Sequence, residues 1–304
     1  MNDPSRPATR TPTAPAPRRR LDVTPPRSRQ IPNRIRHGAA ALLLAVTAAL
    51  LAPGVATADE PNPPSPEPGS EHGAWAGHSL EDDQAPRITT SVPDVAGGSV
   101  AGMDVSGWQG DVDWQRAWAD GARFTYVKAT EGTGYVNPHF AQQYNGSYDV
   151  GMTRGAYHYA LPDRSSGAEQ AHYFVDHGGG WTPDGRTLPG ALDIEYNPYG
   201  ETCYGLGPAE MSDWLAEFSN TYRDRTGRFP AIYTTTDWWN QCTGGNPDFA
   251  PNNPLWIARY SEQVDPLPAG WTYETIWQFD DEGVFPGDQN VFNGDVAQLG
   301  RFAG

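Results

Sequence analysis

Positive charge is scarce in this 304-residue chain, where 21 Lys and Arg stand against 37 Asp and Glu for a formal net charge of −16. The imbalance sharpens beyond the N-terminus. Residues 1–58 hold nine Arg and two Asp with neither Lys nor Glu, a net of +7, which leaves −23 for the remainder. So acidic a surface has no electrostatic footprint for nucleic acid and no attraction to an anionic membrane. Cysteine is nearly absent, with only Cys203 and Cys242. The seven histidines include no H-x-x-x-H pair, and His172 and His177, five apart, do not share a helix face. No metal or other cofactor is therefore expected. A G-x-S-x-G elbow is also missing, which argues against a serine hydrolase.

Large apolar residues are concentrated in two places. The first is residues 38–52, a nearly unbroken apolar run that follows a Pro- and Arg-rich head and precedes Ala56-Thr57-Ala58. The run is short for a membrane span and ends in a small-residue cleavage pattern, so residues 1–58 read as a secretory signal peptide and the mature chain as secreted from Asp59. Export makes a Cys203–Cys242 disulfide the default, with two unpaired buried thiols as the other reading. Residues 59–99 are rich in Pro, Glu and Ser, the composition of an extended, disordered linker. Of the 11 Trp only Trp75 lies before Val100. Residues 100–304 are the second concentration, large enough for a core of their own and expected to be one monomeric unit.

Within that unit, short β-rich runs at 102–106, 124–130, 153–159, 191–195, 231–235, 255–260 and 275–279 alternate with helical patterns at 112–120, 139–148, 168–177 and 208–225. The last helix carries an apolar stripe of Met211, Trp214, Leu215, Phe218 and Tyr222 at i, i+3, i+4 spacing. Such alternation predicts a parallel α/β sheet closed into a barrel, with a less regular last third.

Chemistry in a barrel sits at the carboxyl ends of the strands. Ala191-Leu192-Asp193-Ile194-Glu195-Tyr196, bounded by Leu188-Pro189-Gly190 and Asn197-Pro198, reads as one such strand. Alternation puts Asp193 and Glu195 on one face, their backbones roughly 6–7 Å apart at about 3.3 Å per residue. Two acids so close push one pKa upward, which suits one to hold a proton as general acid. A solvent-facing acidic pair is the bland alternative. Other strand ends carry Asp104 with Ser106, Lys128 to Glu131, and near the C-terminus Asp288. Singly each reads as a turn or capping acid; together they suggest a pocket.

These residues carry a resemblance. Gly102-Met103-Asp104-Val105-Ser106-Gly107-Trp108-Gln109-Gly110, Val127-Lys128-Ala129-Thr130-Glu131-Gly132, Arg154-Gly155-Ala156-Tyr157-His158-Tyr159, Leu192-Asp193-Ile194-Glu195, Leu255-Trp256-Ile257-Ala258-Arg259-Tyr260, Trp277-Gln278-Phe279 and Asp288-Gln289-Asn290-Val291-Phe292 occur in order over residues 100–304. The set resembles the family 25 glycoside hydrolases, secreted muramidases, and within them the short streptomycete type. The resemblance implies an irregular (β/α) barrel with fewer helices than strands. It also implies cleavage of peptidoglycan glycan strands between N-acetylmuramic acid and N-acetylglucosamine. It assigns Glu195 as general acid/base, sets Asp193, Asp104 and Asp288 in the same pocket, and matches Cys203 and Cys242 to that subgroup's bridge. Retention of configuration with help from the substrate's N-acetyl group is the implied route, with direct displacement by a carboxylate as the other. Gly287 departs from the family's branched apolar residue and is expected to loosen the strand before Asp288.

Candidate sugar contacts are Tyr157, Tyr233, Trp277 and Trp108, whose rings lie near strand ends, together with Glu131. For any single aromatic, core packing is the competing assignment. His158, on the face opposite Tyr157 and Tyr159, is expected to be a hydrogen-bonded core histidine. Two other functions remain in competition. A non-catalytic glycan-binding barrel could dispense with Glu195, and a chitinase-like hydrolase would carry D-x-x-D-x-D-x-E, which is absent.

Overall fold

Runs of β-branched and aromatic residues become strands wherever a turn-forming Gly, Pro or Asp bounds them. In the computed structural model, which describes residues 73–80 and 98–304, these are β1 (Ser99–Val105), β2 (Phe124–Glu131), the short β3 (Tyr135–Val136), β4 (Thr153–Tyr159), β5 (Ala191–Asp193), β6 (Ala231–Thr234), β7 (Leu255–Ala258), β8 (Ile276–Asp280) and β9 (Asp288–Asn293). The expected signal peptide lies outside the described residues, as does the expected linker except at 73–80 and 98–99. Gly73–Leu80 is not linker-like: Ala74 and Ala76 are completely buried. Residues 99–105 form the first strand, so the barrel begins at Ser99.

Pairing runs β1-β2-β4-β5-β6-β7-β8-β9 and returns to β1, closing an eight-stranded barrel with β3 as a side arm on β2. All neighbours are parallel until β9, which is antiparallel to both β8 and β1. The helices are α1 (Trp114–Ala119), α2 (Phe140–Asp149), α3 (Gly167–Phe174), α4 (Pro208–Thr226), α5 (Thr236–Thr243) and α6 (Val296–Ala303). The irregular barrel with fewer helices than strands is therefore present. The sequence reading missed β9, whose Asp, Gln and Asn disfavour strand, and the short helices α5 and α6. No helix among the described residues is long and apolar enough to cross a membrane.

Closure depends on Gly287. It sits at φ +81°, and a Cβ there would lie 2.1 Å from the backbone oxygen of Asp104. The glycine lets β9 start directly against β1, so that Asp288 pairs with Asp104 in the register. The expected loosening at Gly287 is thus corrected: a side chain at this position would push the two strands apart.

The inward face of the barrel is layered. Phe124, Tyr126, Tyr157, Tyr233 and Trp256 fill its lower and middle parts, with Tyr126 and Trp256 stacked at 4.7 Å. Gly102 and Gly155 make room for the rings of Phe124 and Tyr126, since a Cβ at either would meet them at 2.3 Å. Above this aromatic floor lie the buried polar side chains of Asp104, Lys128, Asp193 and Gln278. On the outer face α4 buries the expected stripe of Met211, Trp214, Leu215, Phe218 and Tyr222. Pro208 opens α4, Glu210 accepts the Gly207 N–H at 2.9 Å, and Gly227 at φ +82° ends it. His158 sits in this outer layer, fully buried between Thr130 (2.8 Å) and Gln170 (2.9 Å) and stacked on Phe218. Burial holds its pKa down to about 3, so it is a neutral core residue as expected.

Cys203, in the loop after β5, is bonded to Cys242 on α5, with Cα atoms 5.3 Å apart and a sequence separation of 39. Loop-closure entropy for a ring of this size gives about 4 kcal/mol. Replacing both cysteines by Ser should lower the melting temperature on the order of 10 °C for a domain of this size. An unchanged melting temperature in the double variant would mean that the loop is fixed by packing alone.

Candidate active site

Strand alternation delivers a polar side chain from each of four strands to the carboxyl end of the barrel: Asp104 from β1, Lys128 from β2, Asp193 from β5 and Gln278 from β8. Glu195 arrives two residues beyond β5, where the Ile194 N–H still bonds to the Tyr233 carbonyl at 3.0 Å and continues the strand's course. Asp193 and Glu195 are both completely buried. Among the described residues, no N–H or hydroxyl donates to either oxygen of Asp193. Its carboxyl lies beside that of Glu195, which together with burial favours retention of a proton by the pair. Burial is the first cause of a high pKa at each: Glu195 is pushed up to about 8 and Asp193 well above the usual carboxylate range. Desolvation outweighs the like-charge repulsion expected from the spacing of the two acids.

Asp104 and Asp288 form a second acidic pair, tied by the side-chain amide of Gln278. Its Nε2 donates to Asp104 Oδ2 and to Asp288 Oδ2, both at 3.0 Å. Asn290 Nδ2 adds a bond of 2.6 Å to Asp104 Oδ2, and Trp256 Nε1 fixes Asn290 through its Oδ1 at 2.7 Å. Tyr233 and Tyr260 hydroxyls donate to Gln278 Oε1 at 2.8 and 3.1 Å, which sets the amide's orientation. Despite these donors, burial keeps Asp104 up at about 7 and Asp288 well above its ordinary value.

Lys128 is the only lysine in the chain and is fully buried. It pairs with Glu131 at 2.5 Å, and Glu131 also accepts from the Tyr199 hydroxyl at 2.6 Å. Desolvation lowers the pKa of the ammonium, while Glu131, Asp193 and Glu195 support its charge. One cation thus faces several acids, and protons must neutralise the excess.

Of the expected site residues, Glu195, Asp193, Asp104, Asp288, Glu131, Tyr157 and Tyr233 converge at this end of the barrel. Tyr157 and Tyr233 are fully buried and present their hydroxyls rather than open ring faces. Trp108 is half-buried on the turn after β1. Trp277 does not belong to the site. It lies on the outer face of β8 among Leu255, Ile257, Phe279 and Val291, with its indole N–H on the Arg259 carbonyl at 2.7 Å. A one-residue shift along a strand reverses the face, and Gln278 is the residue that points inward. Gln278, Asn290 and Tyr260 are not among the site residues expected from the sequence, and Lys128 is expected there only as part of a polar strand end. A lone Gln between Trp277 and Phe279 was the available signal, because a polar residue in an apolar strand needs a polar partner.

Gly73–Leu80 lies against this group. The Ala74 N–H donates to Glu131 Oε2 at 2.9 Å, the Gly77 N–H to Glu195 Oε1 at 2.8 Å and the Ala76 N–H to the Tyr157 hydroxyl at 3.4 Å.

The raised acids link stability to pH. Between the ordinary values of 3.8 and 4.5 and the folded values of about 7 and 8, Asp104 and Glu195 keep protons that the unfolded chain has lost. Their contribution is complete below about pH 4 and disappears as pH rises through 7 to 8. His158 acts oppositely, but only below its ordinary 6.5. The melting temperature should therefore fall between pH 6.5 and 8, and Glu195→Gln should flatten that decline and raise stability at pH 8. A melting temperature that rises over this interval would contradict the assignment.

Comparison with known proteins agrees with this geometry. The model of Glycosyl hydrolases family 25 matches residues 103–288. Lysozyme M1 of Streptomyces globisporus is 41% identical over 279 residues, which cover 88% of this chain and 95% of that protein. The N,O-diacetylmuramidase of Chalaropsis sp is 44% identical over 209 residues, covering 67% and 99%. Among solved structures, the muramidase from Acremonium alcalophilum superposes with a TM-score of 0.66 at 54% identity, covering 67% of this chain and 98% of that one. A family match that begins next to Asp104 and ends on Asp288 spans the whole ring of pocket acids, and with such relatives the chain belongs to family 25 of the glycosyl hydrolases.

Proposed function

We propose that the protein is a secreted N-acetylmuramidase that cleaves the β-1,4 bond between N-acetylmuramic acid and N-acetylglucosamine in peptidoglycan, with retention and assistance from the substrate's N-acetyl group. The observation that carries the reading is the buried Asp193–Glu195 pair, in which a carboxyl keeps its proton near neutral pH. The muramidase names of the relatives support the substrate class.

Cleaving a glycoside requires a proton for the leaving oxygen and stabilisation of positive charge at the anomeric carbon. Glu195, protonated until about pH 8, donates that proton as the C–O bond breaks. The N-acetyl carbonyl oxygen attacks the anomeric carbon from the opposite face and forms a cyclic, positively charged intermediate. With the pair's proton on Glu195, the Asp193 carboxylate orients the amide by accepting its N–H and offsets the charge. Glu195, now ionised, takes a proton from water, whose oxygen opens the ring and restores the original configuration. Asp104 and Asp288, held by Gln278, and the hydroxyls of Tyr157 and Tyr233 bind sugar hydroxyls. Trp108 supplies a ring face at the rim, and Glu131 lies within reach of the same groove.

Glu195→Gln keeps the shape and removes the transferable proton, so hydrolysis of purified peptidoglycan should fall roughly 10²–10⁴-fold. Asp193→Asn should also be severe. It relieves the repulsion that resists the pair's second ionisation, so the basic limb of the residual pH profile should move to lower pH. NMR of fresh product should show the β-anomer before mutarotation, and a parallel digest of chitin oligomers should be slow. An α-anomer would exclude retention, while near-normal turnover by Glu195→Gln would exclude the assignment of the acid.

A further inference from the structure

Gly73–Leu80 meets the same groups that a saccharide would need. Besides the three N–H donors above, its Ala74 carbonyl accepts from Lys128 Nζ and its Ala76 carbonyl accepts from Gln278 Nε2 at 3.3 Å. The indole N–H of Trp108 donates to the Gly73 carbonyl at 3.1 Å, and Trp75 packs edge-on against Trp108 at 4.8 Å. The peptide thus bonds through its backbone to Glu131, Lys128, Tyr157, Gln278 and Glu195, and it covers the one half-buried indole at the rim.

The fit is close. Gly73 at φ +63° would place a Cβ 2.4 Å from Glu131 Oε2, and Gly77 at φ +93° would place one 2.7 Å from the Tyr260 hydroxyl and 3.3 Å from Asp288 Oδ2. Only glycine brings the backbone this near the acids at these torsions. Ala74 and Ala76, between them, are small enough to be buried without displacing the floor.

Resting on the function proposed above, we infer that the active-site cleft is also a peptide-binding site whose ligand is the chain's own Gly73–Leu80, so that the enzyme is latent until this segment is displaced or cut away. A peptide folded into tight turns, as this one is, and a glycan strand offer similar chemistry here, with donors and acceptors for the buried polar groups and one apolar surface against Trp108. They cannot occupy the cleft together. Only residues 81–97 separate the segment from the barrel in sequence, so a short tether gives it an effective concentration in the mM range and lets weak contacts suffice.

A fluorescently labelled peptide of sequence Gly-Ala-Trp-Ala-Gly-His-Ser-Leu is the probe, with the full chain and its Gly73→Val/Gly77→Val variant as hosts. The native chain should refuse the peptide, while the variant, whose own segment no longer seats, should bind it and hydrolyse peptidoglycan at least ten-fold faster. A second form, with a specific protease site introduced between residues 81 and 97, should gain the same activity on cutting and lose it again when excess peptide is added. Peptide binding reports the occupied cleft without reference to sugar: if it behaves as expected while no form cuts peptidoglycan, the functional reading fails and the peptide site stands. A variant and a cut chain that bind no peptide and work at the native rate would overturn the inference.

Discussion

The constraint on which this molecule depends is the burial of several carboxyl groups beside a single ammonium at the mouth of a barrel. Asp104, Asp193, Glu195, Asp288 and Glu131 are all at least nine-tenths buried, and Lys128 is the only cation among them. Ionising them all would require solvation that the site lacks. Protons make up the deficit, and Asp104, Asp193, Glu195 and Asp288 retain them where in water they would be bare above about pH 5. The same shortage that makes the site costly in stability supplies the acid that the proposed chemistry requires.

Much of the surrounding architecture positions these groups. An aromatic floor closes the barrel below them and excludes water. Gly287 lets β9 run antiparallel against β1 and brings Asp288 beside Asp104. Gln278, oriented by two tyrosine hydroxyls, holds that pair with one amide group, while Asn290 is held by Trp256. Buried polar groups linked in this way are satisfied as a network, and removal of one member leaves the others unpaired. Gly73–Leu80 inserts its own backbone into that network, which gives the inferred latency its physical basis.

The barrel was legible in the sequence because hydrophobic period switches between strand and helix along 100–304, and the Met211 to Tyr222 stripe shows directly which face of α4 is buried. The acidic pair was legible because Asp193 and Glu195 alternate about Ile194. β9 was hidden, since Asp288 and Asn290 are inward residues in a barrel whose upper interior is polar, and polar residues argue against strand when tertiary context is unknown. Trp277 was misassigned for a related reason: an aromatic near a strand end is as often structural, and register alone separates it from Gln278. The packing of Gly73–Leu80 was invisible because its partners lie 35 to 202 residues away. Its composition, flanked by Pro- and Glu-rich sequence, read as linker.

Direct titration of one carboxyl tests the account most sharply. With glutamate side-chain carboxyls labelled with ¹³C, the resonance that disappears in Glu195→Gln belongs to Glu195. If burial holds its proton as described, that resonance should titrate with a midpoint of about 8 in the full chain. A midpoint in the ordinary range, near 4.5, would mean that Glu195 is ionised at neutral pH and would remove the physical basis for its proposed role as the acid.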